Sequence, residues 1–444
     1  MKTALGHKMK GALWAVLAGF SAAAWGAANE QFIPIPSYRT GPMNVAGVPV
    51  YNGFIDYLDL INKRDGGVNG VKLTWEECET AYQVDRGVEC YERLKKKGPT
   101  GASLYAPGST GIIYAVTERA TADKIPILTM GYGRTDASDG RVFPYVFTLL
   151  ANYWSQNTAK IKFIGMREGG MDKLKGKKIA NLYHGSPYGK ETLPLLEQQA
   201  RKYGFDLINI EIPHPGTDQQ AQWLQVRQAK PDWVIFRGFG VMNSVGIKTA
   251  QKVGFPADRI IGAFPSSAEE DVIPAGDAAK GYITVAISLS GTQYPVIQEI
   301  VKRLYGGGNK GRMENTKGIG TVYYNLGVIH GVITAETIRV GQEKFGKKPL
   351  TGEQVRWALE HLSIDEKRLK QLGASVLMQP LKVSCSDHEG GGLVKFQQWD
   401  GQKWNSVSDW IEADRALVRP MVEGVAAKYA REKGIQLRDC SKDS

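Results

Sequence analysis

The sequence predicts an α/β protein built as two doubly wound lobes. Three observations lead there. Short apolar runs alternate with helix-periodic segments from residue 32 to residue 264, each run closing on a turn rich in glycine or proline. The alternation comes in two successive sets, separated by an extended segment at 142–147. At 444 residues the chain is also too long for one ordinary core. Strands that alternate with helices in this way form parallel sheets covered on both faces. With 42% hydrophobic and 23% charged residues, disordered and low-complexity classes are excluded.

In the first set, residues 32–36 read as an opening strand, followed by a loop at Gly41, Pro42 and Gly47. Residues 50–62 carry apolar side chains at helical spacing. A turn at 65–70 leads to a strand at 71–77, and 85–96 is a helix. Residues 101–135 then read as strand, turn, helix, strand, turn. The run from Ser103 to Tyr105 stops at Pro107-Gly108. Ser109 or Thr110 can start a helix whose apolar positions are Ile112, Ile113, Val116 and Ala120. Residues 125–129 form the second strand, and Gly131, Tyr132 and Gly133 its turn.

In the second set, 152–167 is helical, 178–183 a strand, and 184–189 its turn. A helix at 190–203, a strand at 206–212 and a helix at 219–228 follow. The strand at 233–237 ends in Gly238, Phe239 and Gly240; a helix at 242–253 and a strand at 260–264 complete the set. From Gly281 the pattern is extended again, and 323–339 is the longest apolar helix. Asn325, His330 and Glu336 inside it argue for packing rather than a membrane span. His330 reads as a satisfied interior or surface histidine. Residues 382–410, with Gly390 to Gly392, alternating Val394, Phe396 and Gln398, and an Asp400-Gly401 turn, predict an antiparallel hairpin added beside the hinge.

The first residues predict export. Lys2, Lys8 and Lys10 precede an apolar run from Leu13 to Ala24, and small residues end at Ala28, so 1–28 reads as a cleaved signal peptide. No cysteine lies near that point, so no lipid anchor is expected. Without the three leader lysines, the formal charge of +11 falls to about +8. The basic residues are scattered, which disfavours nucleic acid as a partner. Cys78, Cys90, Cys385 and Cys440 all lie in the exported part, and an even count in an oxidising compartment predicts two disulfides. Of three possible pairings, Cys78–Cys90 and Cys385–Cys440 are favoured. No CxxC pair or close histidine spacing supports a metal, and no cofactor motif is present.

The 101–135 unit places two turns at the carboxyl edge of a parallel sheet, where open α/β sheets bind ligands. Ser109 and Thr110 offer hydroxyls and unpaired amides at a helix N-terminus, which suits a carboxylate; simple capping is the alternative. Catalysis is disfavoured. Pro107 stands where a nucleophile elbow needs glycine, and Asn243 stands where a dinucleotide fingerprint does. Asp387, His388 and Glu389 sit in a predicted loop.

These residues resemble those of a family. Tyr38 to Pro42 together with Asp65 to Gly70 is similar to the opening of the substrate-binding proteins of branched-chain amino-acid-type ABC importers, the leucine-binding-protein-like group. Gly108-Ser109-Thr110 resembles their serine-rich ligand loop, and Ile125-Pro126-Ile127-Leu128 their next strand. Tyr188-Gly189, and Ala275-Gly276 with Gly281, resemble second-lobe motifs. The resemblance spans 32–339. It implies a type I periplasmic binding fold: two Rossmann-like lobes joined by a three-crossover hinge that closes on a ligand. The lobes would be 29–147 with 289–378, and 148–288 with 379–444. By this resemblance Ser109 and Thr110 hold a ligand carboxylate, and Gly133 and Thr135 add contacts beside Tyr132. Tyr188 and Phe239 would cover the ligand from the second lobe.

One departure bears on the ligand. Amino-acid binders of the group hold the ligand ammonium with a carboxylate after the strand at 260–264. Here Phe264 occupies that place, and Glu269 and Glu270 would need a shifted loop to reach it. An aromatic or apolar carboxylic acid is therefore expected ahead of a branched-chain amino acid. The implied partners are the membrane permease subunits of an importer, the expected location is the periplasm, and the expected state is a monomer. A ligand sensor that addresses a membrane receptor is the alternative.

Overall fold

The computed structural model describes residues 29–308, 311–313 and 316–442; the predicted signal peptide lies outside the described residues. The first lobe opens with β1 (Glu30–Ser37), α1 (Asn44–Asp65), β2 (Lys72–Glu79) and α2 (Val84–Leu94). It continues through α3 (Thr110–Ala122), β3 (Ile127–Met130) and β4 (Val146–Leu149). β1 runs parallel to β2, and β3 to β4. Residues 103–105 fill the slot between the two pairs. The Ser103 amide donates to Phe32 O at 3.2 Å, and Tyr105 bridges to Ile127. The predicted strand there is thus reduced to single contacts.

The second lobe comprises α4 (Tyr153–Glu168), β5 (Lys178–His184), α5 (Leu193–Tyr203), β6 (Asp206–Ile212), α6 (Gln220–Ala229), β7 (Trp233–Arg237), α7 (Val241–Lys252), β8 (Ile260–Gly262) and β9 (Ile283–Ala286). Its parallel strands stand in the order β6-β5-β7-β8-β9. Every residue of β7, β8 and β9 is buried, as expected for parallel strands covered on both faces. The chain then returns to the first lobe as α8 (Val322–Phe345) and α9 (Gly352–Glu360). α8 lies along α1 with its backbone in close contact. A Cβ at Gly327 would collide with the Val50 carbonyl, and Asp56 accepts hydrogen bonds from the Tyr305 and Tyr324 hydroxyls at 2.6 Å each.

The C-terminal region departs from expectation. The hairpin is an integral part of the second-lobe sheet rather than an addition beside the hinge. β10 (Leu393–Trp399) pairs antiparallel with β9, from Lys395 opposite Ala286 to Gln398 opposite Ile283, and β11 (Trp404–Ser406) follows. Without β10, β9 would expose an unpaired edge. The chain beyond it serves both lobes. α10 (Arg415–Lys433) lies against the first lobe, where Tyr429 stacks on Phe143 at 4.9 Å and Lys433 pairs with Glu118. Ala426 and Ala430 are buried there beside Phe143, their small side chains permitting close approach.

Asp387, His388 and Glu389 bind the tail to the hinge. Thr148 and Leu150 donate backbone bonds to the carbonyls of His388 and Glu389. The buried His388 ring stacks on Phe147 at 3.9 Å and meets Glu360. The Cys78–Cys90 and Cys385–Cys440 disulfides are both present. Among the described residues, no helix is long and apolar enough to cross a membrane.

The Cys385–Cys440 bridge closes a long loop, which restricts the unfolded chain by about 2–4 kcal/mol. Cys440→Ser is expected to lower the thermal midpoint, and a reductant should lower the wild type similarly. A midpoint that stays put in both would show that α10 is held by packing alone.

Candidate functional site

The first turn of α3 defines one end of the cleft. Ser109 precedes the helix in an extended conformation, but its side chain makes no capping hydrogen bond. Thr110 Oγ1 lies 3.1 Å from Tyr153 OH. The leading amides of the helix are therefore left without a side-chain acceptor, a condition that invites an anion. Gly108 makes this turn possible. Its φ is +61°, and a Cβ would fall 2.6 Å from Tyr38 and 2.8 Å from the Tyr51 hydroxyl.

Aromatic rings supply most of the remaining wall. Tyr38, Tyr51, Phe54, Tyr82 and Tyr132 come from the first lobe; Tyr153, Tyr188, Phe239 and Phe264 come from the second. α8 contributes Tyr323, Leu326 and His330. No aspartate, glutamate, lysine or arginine is among the lining residues. The free volume among these side chains is about 50 Å3, room for roughly four waters. Three phenols are tied to backbone carbonyls: Tyr51 to Pro36 at 2.8 Å, Tyr188 to Gly238 at 3.0 Å, and Tyr323 to Pro265 at 2.7 Å. Burial pushes the phenols up, Tyr188 to about 12, so they remain neutral donors.

The lobes meet across this cleft. Phe239 packs on Tyr82 at 5.1 Å between ring centres and on Tyr38 at 6.2 Å. The Val241 amide donates to Pro42 O at 3.2 Å. At the rim, the Glu191 carboxylate of the second lobe accepts from Tyr114 OH on α3 and from the Thr135 amide at 3.3 Å.

Of the residues singled out from sequence, Thr110, Tyr132, Tyr188, Phe239 and Phe264 come together in the lining, with Ser109 beside it. Gly133 and Thr135 do not enter the lining. Gly133 packs toward Thr129 and Ile113, and Thr135 faces Glu191. The chain turns away from the cleft after Tyr132. Two of the acids after Phe264 are taken up by other groups. Glu269 accepts from Ser290 and from the Val322 amide. Asp271 accepts from Asn243 at 2.7 Å and from Tyr323 at 2.8 Å. Burial holds Asp271 up at about 7 and Glu270 at about 8.

Tyr38, Tyr51, Phe54, Tyr82, Tyr153, Tyr323, Leu326 and His330 were not legible as site residues. Tyr38 and Tyr82 had one available signal, their position just past β1 and β2. Tyr82 is held in place by strain and a carboxylate. Ala81 and Tyr82 have φ of +49° and +64°, sparsely populated for non-glycine residues. The Glu79 carboxylate accepts from the Arg39 amide at 2.8 Å and the Ala81 amide at 2.9 Å, locking both loops. His330 is not the satisfied histidine the sequence suggested. Its ring packs on Phe54 at 4.3 Å, Nδ1 is buried without a partner, and burial pushes it down to about 4, so it is neutral.

With this geometry in view, the profile of the periplasmic binding protein family matches residues 30–403, most of the chain. The chain belongs to this family. A crystal structure from the Pseudomonas fluorescens group, described as an ABC transporter permease, is 48% identical, with a TM-score of 0.87 over 93% of this chain and 99% of its own. Identity at that level over nearly the full length extends the likeness beyond fold. Two more distant structures share the fold alone. A branched-chain amino-acid ABC transporter protein from Thermus thermophilus with bound valine is 22% identical, with a TM-score of 0.73 over 88% of this chain and 99% of that one. A solute-binding protein from R. palustris in complex with benzoate is 17% identical, with a TM-score of 0.64 over 87% and 98%. No curated protein matches the chain. The chain is thus a periplasmic binding protein, and the solved structures it resembles carry ABC-transporter descriptions. The family works outside the cytoplasm.

Burial first, and Asp136 second, push the Glu191 carboxyl up to about 7 in the closed protein, against an ordinary 4.5. It therefore holds its proton more tightly when the lobes are shut, and protonation favours closure. Closure is expected to be strongest below the ordinary value and to weaken as pH rises through about 7. Small-angle scattering across this range should show the compact fraction falling with pH, and Glu191→Gln should flatten the profile. A wild-type profile that is already flat would remove Glu191 from closure.

Proposed function

We propose that this periplasmic binding protein captures a small aromatic or apolar carboxylate that lacks an ammonium group, and delivers it to the permease subunits of an ABC importer. One observation carries this reading: an uncapped helix N-terminus opens into a cleft whose lining has no charged side chain. A carboxylate satisfies the α3 amides with help from Thr110, while the apolar body of the ligand packs among the rings. An amino acid would bring an ammonium with no carboxylate to receive it, at a cost of several kcal/mol in a desolvated cleft. Ser109, Thr110, Tyr132, Tyr188, Phe239 and Phe264 are the proposed ligand residues. Gly133 and Thr135 would support the turn. The lobes follow the division given above, with export through the leader at 1–28 and a monomer in the periplasm.

Calorimetric titration of the ligand-stripped mature protein separates the possibilities. Benzoate-type or phenylpropanoid acids are expected to bind and leucine to fail. Tight leucine binding with no response to the acids would overturn the reading. Thr110→Val should weaken acid binding about tenfold, the worth of one hydrogen bond to a charged group.

A further inference from the structure

Arg237 ends β7 at the ligand edge of the second lobe and is fully buried. Its guanidinium lies 4.7 Å from the ring centre of Tyr153 and 4.7 Å from that of Tyr188, the two second-lobe phenols of the cleft wall. One nitrogen donates to the Tyr188 carbonyl at 2.8 Å, while Nε and Nη1 are buried with no partner. No carboxylate pairs with it among the described residues. Asp271, whose charge acts on Tyr188, is taken up by Asn243 and Tyr323. A second basic side chain feels the Arg237 charge, and burial first and Arg237 second push its amine well below its ordinary value, toward the neutral form. Lys160 stands two turns beyond Tyr153 on the same face of α4, is fully buried, and its Nζ has no partner. A buried guanidinium is costly unless a negative charge answers it.

We propose that the answering charge is the ligand carboxylate, and that Arg237, acting through Tyr153 and Tyr188, makes the closed cleft select an anion over a neutral molecule of the same shape. This rests on the carboxylate reading above and deepens it. Tyr153 connects the two ends. One face carries the Arg237 charge, and its hydroxyl meets Thr110 at the first turn of α3. A cation over a phenol draws electron density from the ring and sharpens its hydroxyl as a donor. Closure thus brings a fixed positive charge of the second lobe toward an anion held by first-lobe amides, across a medium of low dielectric where the attraction is strong. Arg237 is a positioning residue, because aromatic rings separate it from the ligand.

The test compares benzoate with benzamide, equal in shape and different in charge, by calorimetry. Wild type should prefer benzoate strongly. Arg237→Met and Arg237→Gln should each weaken benzoate about tenfold or more and leave benzamide unchanged, whereas Arg237→Lys should retain most of the preference. Two neutral variants guard against one failing to fold, and thermal midpoints identify which are folded. Equal loss for both probes would assign Arg237 to packing and overturn the inference while the carboxylate reading stands. An unchanged benzoate affinity in a folded neutral variant would overturn it as well. Binding of neither probe by wild type, with leucine bound tightly, would overturn both readings together.

Discussion

The first turn of α3 carries backbone amides that no side chain caps, in a setting walled by phenols and aliphatic groups. Buried donors without acceptors are unfavourable, so this turn demands a partner that the chain itself does not supply. Much of the surrounding structure serves that demand. Gly108 lets Tyr38 and Tyr51 close over the turn, Thr110 directs its hydroxyl to Tyr153, and Glu269 and Asp271 are taken up by Val322 and Asn243. The result is a turn of free amides set among phenols and apolar side chains, the setting on which the carboxylate proposal rests.

The two lobes divide the work. The first lobe provides the amides and a rigid floor where α1 and α8 pack backbone against backbone through Gly53 and Gly327. The second lobe brings aromatic cover, with Phe239 laid against first-lobe Tyr38 and Tyr82 and Tyr188 packed on Phe239. Such rings have few internal degrees of freedom, so closure on a ligand orders little that was loose. Many of the contacts between lobes are polar, among them Val241 to Pro42, Thr135 to Glu191, Val322 to Glu269 and Tyr323 to Asp271.

The hinge is reinforced by the tail. Glu389 accepts from the Asn152 amide at the entry to α4, His388 lies between Phe147 and Glu360, and Arg415 pairs with Asp387. Beyond them α10 returns to the first lobe and ends near the Cys385–Cys440 bridge. The triplet that looked chemical in sequence is therefore a clasp between lobes.

Sequence alone determined the elements whose information is local. The strands at 206–212 and 233–237 fall where their apolar runs place them, and two disulfides follow from count and compartment, formed in the favoured one of three possible pairings. The turn at Gly108-Ser109-Thr110 was visible as well, whereas the absence of a side-chain cap on it was decided by the tertiary structure. Periodicity could not reveal that β10 belongs in the second-lobe sheet, since its pairing with β9 joins residues more than one hundred positions apart. Nor could it reveal the cleft wall. Tyr38, Tyr82, Tyr153 and Tyr323 are spread along the chain and meet only when two lobes close. The same holds for charge: Arg237 reads as an ordinary strand end until folding removes water and leaves it facing two rings with no acid beside it. Local spacing sets secondary structure and caps, whereas burial and pairing across the cleft are properties of the folded chain, and those are what give the site its ligand chemistry.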